Sequence, residues 1–170
     1  MSQATGEVFV LMGDRPPEAR ILELFNSRGW KLAVAESCTG GLIGAGLTSV
    51  PGSSSYFLGG IIAYSNDLKK NLLNVPAELL DSQGAVSGAV AQAMAQGVIA
   101  ATGADCGISV TGVAGPDGGT VEKPVGTVWV GIALPSGTIS RMYNFSGNRE
   151  EVRDQAAQAA LELFLETAGS

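Results

Sequence analysis

Helical and strand-like hydrophobic patterns alternate along this chain. After a short apolar stretch, Val8 to Met12, Pro16-Pro17 marks a helix start. Ile21, Leu22, Leu24 and Phe25 form its apolar stripe, and Gly29 ends it. Lys31 to Ala35 predicts a short buried strand that runs into Glu36-Ser37-Cys38-Thr39-Gly40-Gly41 and a small-residue helix to about Leu47. Pro51 to Ser55 reads as a turn and Leu58 to Tyr64 as a second strand. A helix capped by Asn66 follows, with Leu68, Leu72 and Leu73 apolar and Pro76 closing it.

Ser87 is placed to cap a long alanine-rich helix whose apolar side carries Val90, Met94, Val98 and Ile99, with Gly103 just past its end. Cys106 to Val110 predicts a strand, and the glycine-dense loop Thr111 to Gly126 follows. Thr127 to Leu134 and Thr138 to Phe145 flank Pro135-Ser136-Gly137, a hairpin signal. Asn148 is placed to cap a last helix to about Glu166, with Val152, Ala156, Ala159, Ala160 and Leu163 inward. Helices alternating with strands, plus one antiparallel hairpin, predict a three-layer α/β/α single domain with a mixed sheet. Residues 1–15 read as an N-terminal extension and 16–168 as the domain.

The composition of the 170 residues sharpens this picture. Glycine is twice as frequent as usual, 24 residues, without a three-residue period, which points to tight turns and close backbone approaches. Net charge is −6 with no basic run, so neither nucleic acid nor an anionic membrane surface is an expected partner. No apolar stretch approaches the length of a membrane span and no signal-peptide pattern opens the chain, so a cytoplasmic location is expected. There is no histidine. That excludes Ser-His-Asp and Cys-His catalysis and the HExxH zinc sites, and a hydrolase built on this chain needs Lys, a carboxylate or Tyr as its base. The two cysteines, Cys38 and Cys106, form no CxxC pair, and no metal site is expected.

Within that frame, four places can carry chemistry. In Glu36 to Gly41 a strand ends in a glycine turn and a helix begins. Ser37 would sit beside backbone N–H groups able to hold an oxyanion, or it is simply a turn residue. Cys38 is a rival nucleophile or a small packing residue. Lys69, near the start of a helix where a cation is disfavoured, has the setting for a lowered pKa, although a solvated lysine is the plainer reading. The loop Thr111-Gly112-Val113-Ala114-Gly115-Pro116-Asp117-Gly118-Gly119, with Lys123 beyond it, can line a ligand and meet a phosphate. Arg149 and Arg153, one turn apart, can bind phosphate or pair with Glu150, Glu151 or Asp154.

Ala35-Glu36-Ser37-Cys38-Thr39-Gly40-Gly41 resembles the signature of the CinA C-terminal domain family, the nicotinamide-nucleotide amidases. So do Pro51-Gly52-Ser53-Ser54, Phe57, Gly60, Tyr64-Ser65-Asn66 and Lys69, then Gly84-Ala85-Val86-Ser87, Gly112 to Gly119 and Lys123 to Val128, in the same order. The resemblance runs from about Glu18 to about Phe164. It implies hydrolysis of the carboxamide of nicotinamide mononucleotide to nicotinic acid mononucleotide and ammonia, in pyridine-nucleotide salvage, by a serine–lysine mechanism without metal or organic cofactor. By position it implies Ser37 as nucleophile, Lys69 as base and Tyr64 as an aid to orientation or proton transfer. Glu36, Cys38, Thr39, Gly40, Thr111 and Gly112 would shape the substrate site, and Arg153, with Arg149 close by, would meet the phosphate. It also implies self-assembly, which alanine-rich helix faces permit. A nucleotide-binding module without catalysis, tied to competence or DNA damage, and an amidase for another carboxamide are the alternatives.

Overall fold

The computed structural model describes residues 15–169. The stretch Val8 to Met12, and all but the last residue of the extension assigned to 1–15, lie outside them. Strand β1 (Leu32–Glu36) is the spine of the sheet, and all five of its residues are buried. It pairs in parallel with β2 (Phe57–Ile62) on one side and with β3 (Cys106–Gly112) on the other. A strand enclosed on both edges and both faces has no polar side to show, which accounts for the uninterrupted Leu32-Ala33-Val34-Ala35 run. β4 (Thr127–Leu134) lies antiparallel to β3, and β5 (Gly137–Asn144) antiparallel to β4. The order is β2-β1-β3-β4-β5, a mixed five-stranded sheet. Leu134 pairs with Gly137 across the two-residue connection Pro135-Ser136, as the hairpin signal predicts.

Side chains of β1 alternate between two cores. Leu32 and Val34 join Ile21 and Phe25 of α1 (Pro17–Arg28), Ile43 and Leu47 of α2 (Leu42–Thr48) and Val152, Ala156 and Phe164 of α6 (Arg149–Ala168). Ala33 and Ala35 face Leu73 of α3 (Asn66–Leu73), Leu80 of α4 (Ala77–Gln83) and Val90, Met94 and Val98 of α5 (Gly88–Thr102). Three helices on each face complete the predicted three layers. The α5 layer is unusually close. A Cβ on Gly107 would stand 2.3 Å from the Ala95 carbonyl, and one on Gly131 would stand 2.4 Å from that of Ala91. Only glycine in the strands lets this helix settle there.

Several boundaries differ from expectation for local reasons. Pro76 does not close a helix but stands at the N-cap of α4, which the pattern leaves unread. α3 ends earlier, at Leu73, with Asn74 in the left-handed region (φ 53°). α4 is seven residues long and buries only Leu80, too little for an apolar period to register. Ser65 rather than Asn66 caps α3, its Oγ accepting the Leu68 N–H at 3.1 Å. Leu68 and Leu72 remain exposed while Leu73 is buried, and on α6 it is Ala157 rather than Ala159 that turns inward. The α6 start carries a full capping box, Asn148 with Glu151. Among the described residues no helix is long and apolar enough to cross a membrane.

Candidate active site

β1 ends at Glu36, and the chain must reverse before α2 can begin. Gly40 (φ 59°) and Gly41 (φ 109°) take left-handed conformations that make the turn possible. The Glu36 side chain is 2% exposed, and its carboxylate accepts N–H groups from Gly41 at 3.1 Å, Ile43 at 3.0 Å and Gly44 at 3.1 Å. The unpaired donors at the start of α2 are therefore occupied by the chain's own carboxylate. This differs from the expectation that they await a substrate anion and that Glu36 binds substrate. The Ser37 N–H donates to Val110 O, the Gly40 N–H to Ser37 O and the Leu42 N–H to Thr39 O. Of the N–H groups in this turn, those of Cys38 and Thr39 alone find no acceptor on another described residue.

Lys69 enters from the opposite direction. It lies one turn into α3, its side chain reaches back under the preceding loop, and it is 1% exposed. Its Nζ stands 3.0 Å from Ser37 Oγ, 2.9 Å from Ala63 O and 3.2 Å from Tyr64 O. Among the described residues no carboxylate pairs with it. Burial without a counter-charge pushes its pKa below the usual 10.5, with only the nearby Cys38 acting the other way. The three neighbours divide by chemistry. Two carbonyls can only accept, whereas the hydroxyl can also donate. A neutral amine that gives its two protons to Ala63 O and Tyr64 O therefore turns its lone pair on the Ser37 hydroxyl.

A pocket of about 160 Å³ opens over this pair, lined by Ser37, Cys38, Tyr64, Lys69, Thr111 and Arg149, with Asn66, Ala85, Val86, Gly112 and Ala114 completing it. Two larger grooves of about 480 Å³ run along α5, and neither holds Ser37 or Lys69. Tyr64 is 64% exposed at the pocket. Its phenol oxygen accepts from Arg149 at 3.3 Å, and its contact with Lys69 is through the backbone carbonyl. Thr111 is fixed by its hydroxyl donating to Ala85 O. The Cys38 thiol is buried, and that burial pushes its pKa up to about 11, which favours the packing reading over the nucleophilic one.

Arg149 reaches the pocket, its guanidinium also donating to Gly115 O at 2.7 Å. Arg153 does not line it. That side chain donates to the backbone carbonyls of Cys38 at 3.0 Å and Thr39 at 3.2 Å. Neither arginine pairs with Glu150, Glu151 or Asp154. Thr39 and Gly40 also lie outside the lining, and Lys123 is tied to Gln83 O. The sequence reading passed over Ala85, Val86 and Asn66 as pocket residues. The string Gly84-Ala85-Val86-Ser87 was the available signal for the first two, since it forms the turn that delivers α5.

Fold and site together define an α/β domain with a buried serine–lysine pair beyond the carboxyl end of strand β1. The family model described as the CinA C-terminal domain matches residues 14–168, and the chain belongs to that family. It is 54% identical over 137 residues to a CinA-like protein of Desulfotalea psychrophila, covering 81% of this chain and 33% of that protein. It is 46% identical over 158 residues to a putative competence-damage inducible protein of Desulforudis audaxviator, covering 93% of this chain and 38% of that one. The chain thus spans about a third of the length of these curated relatives. A solved competence/damage inducible protein, CihA, from Agrobacterium tumefaciens superposes with TM-score 0.86 at 38% identity, covering 91% of this chain and 94% of that one. The competence damage-inducible protein A from Klebsiella pneumoniae gives TM-score 0.87 at 37% identity, over 90% and 95% of the two chains.

Proposed function

We propose that this chain is a serine–lysine amidohydrolase that converts the carboxamide of nicotinamide mononucleotide to the acid, releasing ammonia, as a step of pyridine-nucleotide salvage. The observation that carries the reading is the 3.0 Å contact between buried Lys69 Nζ and Ser37 Oγ, in a chain without histidine. In the first step neutral Lys69 takes the Ser37 proton as Oγ bonds to the carboxamide carbon. The oxyanion is met by backbone N–H groups, each contributing about 3–4 kcal/mol. Lys69 then gives the proton to the departing nitrogen, ammonia leaves, and water hydrolyses the acyl-serine through the same base.

The pocket is smaller than the roughly 300–1,000 Å³ of a typical ligand site. It suits the reacting carboxamide and its ring, with ribose and phosphate at the mouth beside Tyr64 and Arg149. A binding module without turnover has no use for a buried lysine whose one neighbour able to donate is a hydroxyl. The test is ammonia release from nicotinamide mononucleotide by the purified chain beside Ser37→Ala. Turnover lost in the variant supports the reading. A folded wild-type chain that releases no ammonia from this nucleotide removes it and leaves another carboxamide as substrate.

A further inference from the structure

Arg153 is a charged side chain turned toward backbone, and no described carboxylate neutralises it. It sits on α6, outside the pocket, and donates through Nε to Cys38 O and through one terminal nitrogen to Thr39 O. The Cys38–Thr39 peptide is trans, so its N–H points opposite to its carbonyl. With that carbonyl held against Arg153, the Thr39 N–H is directed away from α6, and no described residue accepts it. The Cys38 N–H beside it is likewise without an acceptor on another residue, and Cys38 and Ser37 both line the pocket. A guanidinium on the carbonyl end of a peptide also polarises it, which makes the N–H at the other end a stronger donor.

The sequence leaves room for this contact. A Cβ on Gly40 would stand 3.2 Å from the Arg153 terminal nitrogen, at a residue already in a left-handed conformation. On the other flank Glu36 fixes the first turn of α2. The nucleophile turn is thus gripped from both ends by buried or half-buried charge, and between them the Cys38 N–H meets only its own thiol while the Thr39 N–H has no acceptor on another described residue.

We propose that Arg153 is a positioning residue that, by holding the Cys38 and Thr39 carbonyls, fixes the turn after Ser37 so that its backbone N–H groups receive the oxyanion formed there. This deepens the serine–lysine reading above and rests on it, and it assigns Arg153 a role other than phosphate recognition. The test uses a small alkyl fluorophosphonate, which carries no nucleotide and no carboxamide. Ser37 Oγ bonds to phosphorus, the P–F bond breaks, fluoride leaves, and the serine proton goes to Lys69. Mass spectrometry of the intact protein reads the rate for wild type, Arg153→Lys and Arg153→Gln, with melting temperatures confirming that each is folded.

The expected result is labelling slowed about 100-fold in Arg153→Gln. Arg153→Lys is partly restored, and guanidinium added to Arg153→Gln recovers part of the rate. With nicotinamide mononucleotide, kcat falls by a similar factor and KM changes little. Labelling of folded Arg153→Gln at the wild-type rate overturns the proposal, as does a defect confined to KM for the nucleotide, which is the behaviour of a phosphate contact. Slowed labelling in a protein whose wild type leaves the mononucleotide intact supports the role of Arg153 and rejects that substrate. A wild type that is neither labelled nor able to release ammonia from the mononucleotide overturns both.

Discussion

Lys69 Nζ and Ser37 Oγ stand 3.0 Å apart although 32 residues separate them in the chain. The intervening segment explains how. β2 returns the chain beside β1, and Ala63 and Tyr64, just past its end, put two carbonyls where one buried donor can reach both. Lys69, one turn later, is that donor. The residues that bring α3 to the site therefore also orient its amine.

In the proposed serine–lysine mechanism, a base held this way sets the pH dependence of the reaction. Lys69 must be neutral to accept the serine proton, and its pKa lies below the usual 10.5. The rate constant kcat/KM should rise with pH through that lowered pKa and level off above it, since protonation below it removes the base. Lys69→Arg, which keeps the charge and cannot deprotonate, should lose activity by about 100- to 10,000-fold at every pH. A pH–rate profile of the two proteins checks this, and a flat wild-type profile would count against the lysine as base.

The same lowered pKa has a consequence for stability. The unfolded chain holds the Lys69 proton up to 10.5 while the folded chain releases it earlier, so stability rises with pH across the window between the two values. Below that window the folded state carries the full cost of the buried ammonium. Lys69→Met should therefore melt at higher temperature than wild type at neutral pH, with the difference shrinking as pH approaches 10.5. Melting curves at several pH values decide it. A variant less stable than wild type throughout would mean that the bonds to Ala63 O and Tyr64 O outweigh the desolvation.

Much of this architecture was legible in the sequence because local and global preferences agree there. The apolar run of β1 has one reading, and Gly29, Gly103, Ser87 and Asn148 mark their helix ends by chemistry that works locally. What was not legible depends on direction. Glu36 and Ser37 are neighbours, yet the carboxylate turns into α2 and the hydroxyl toward Lys69. Arg149 and Arg153 share a helix face by spacing, yet the first reaches the pocket and the second the backbone of Cys38 and Thr39. α4 was lost because a seven-residue helix burying one leucine leaves no period to detect.

Glu36 offers a third test. Its two oxygens accept three backbone N–H groups, and glutamine can present only one oxygen, with its amide nitrogen facing a donor. Leaving one buried N–H unpaired costs about 1–3 kcal/mol, and charge-assisted bonds are lost besides. Glu36→Gln should lower Tm by several degrees and reduce turnover, because the turn carrying Ser37 loses one of its two anchors. If thermal stability is unchanged, the carboxylate is not what holds the start of α2.

The last prediction concerns a residue that touches no part of the pocket. Gly97 lies on α5 where α3 ends against it, and a Cβ there would stand 1.9 Å from the Leu73 carbonyl oxygen and 2.7 Å from its carbon. These are backbone atoms, so no rotamer change relieves the clash and the two helices must separate. Leu73 is four residues after Lys69 on the same short helix, so the separation is transmitted to the amine. Overpacking of this kind costs about 1–3 kcal/mol. A displacement of about 1 Å at a catalytic group costs on the order of 100-fold in rate. Gly97→Ala should therefore lose both stability and kcat while KM stays near the wild-type value, since no substrate contact is altered. Thermal melts and steady-state kinetics measure the two effects separately. A destabilised variant with full kcat would show that Lys69 is held by Ala63 O and Tyr64 O alone, independent of where α3 rests on α5.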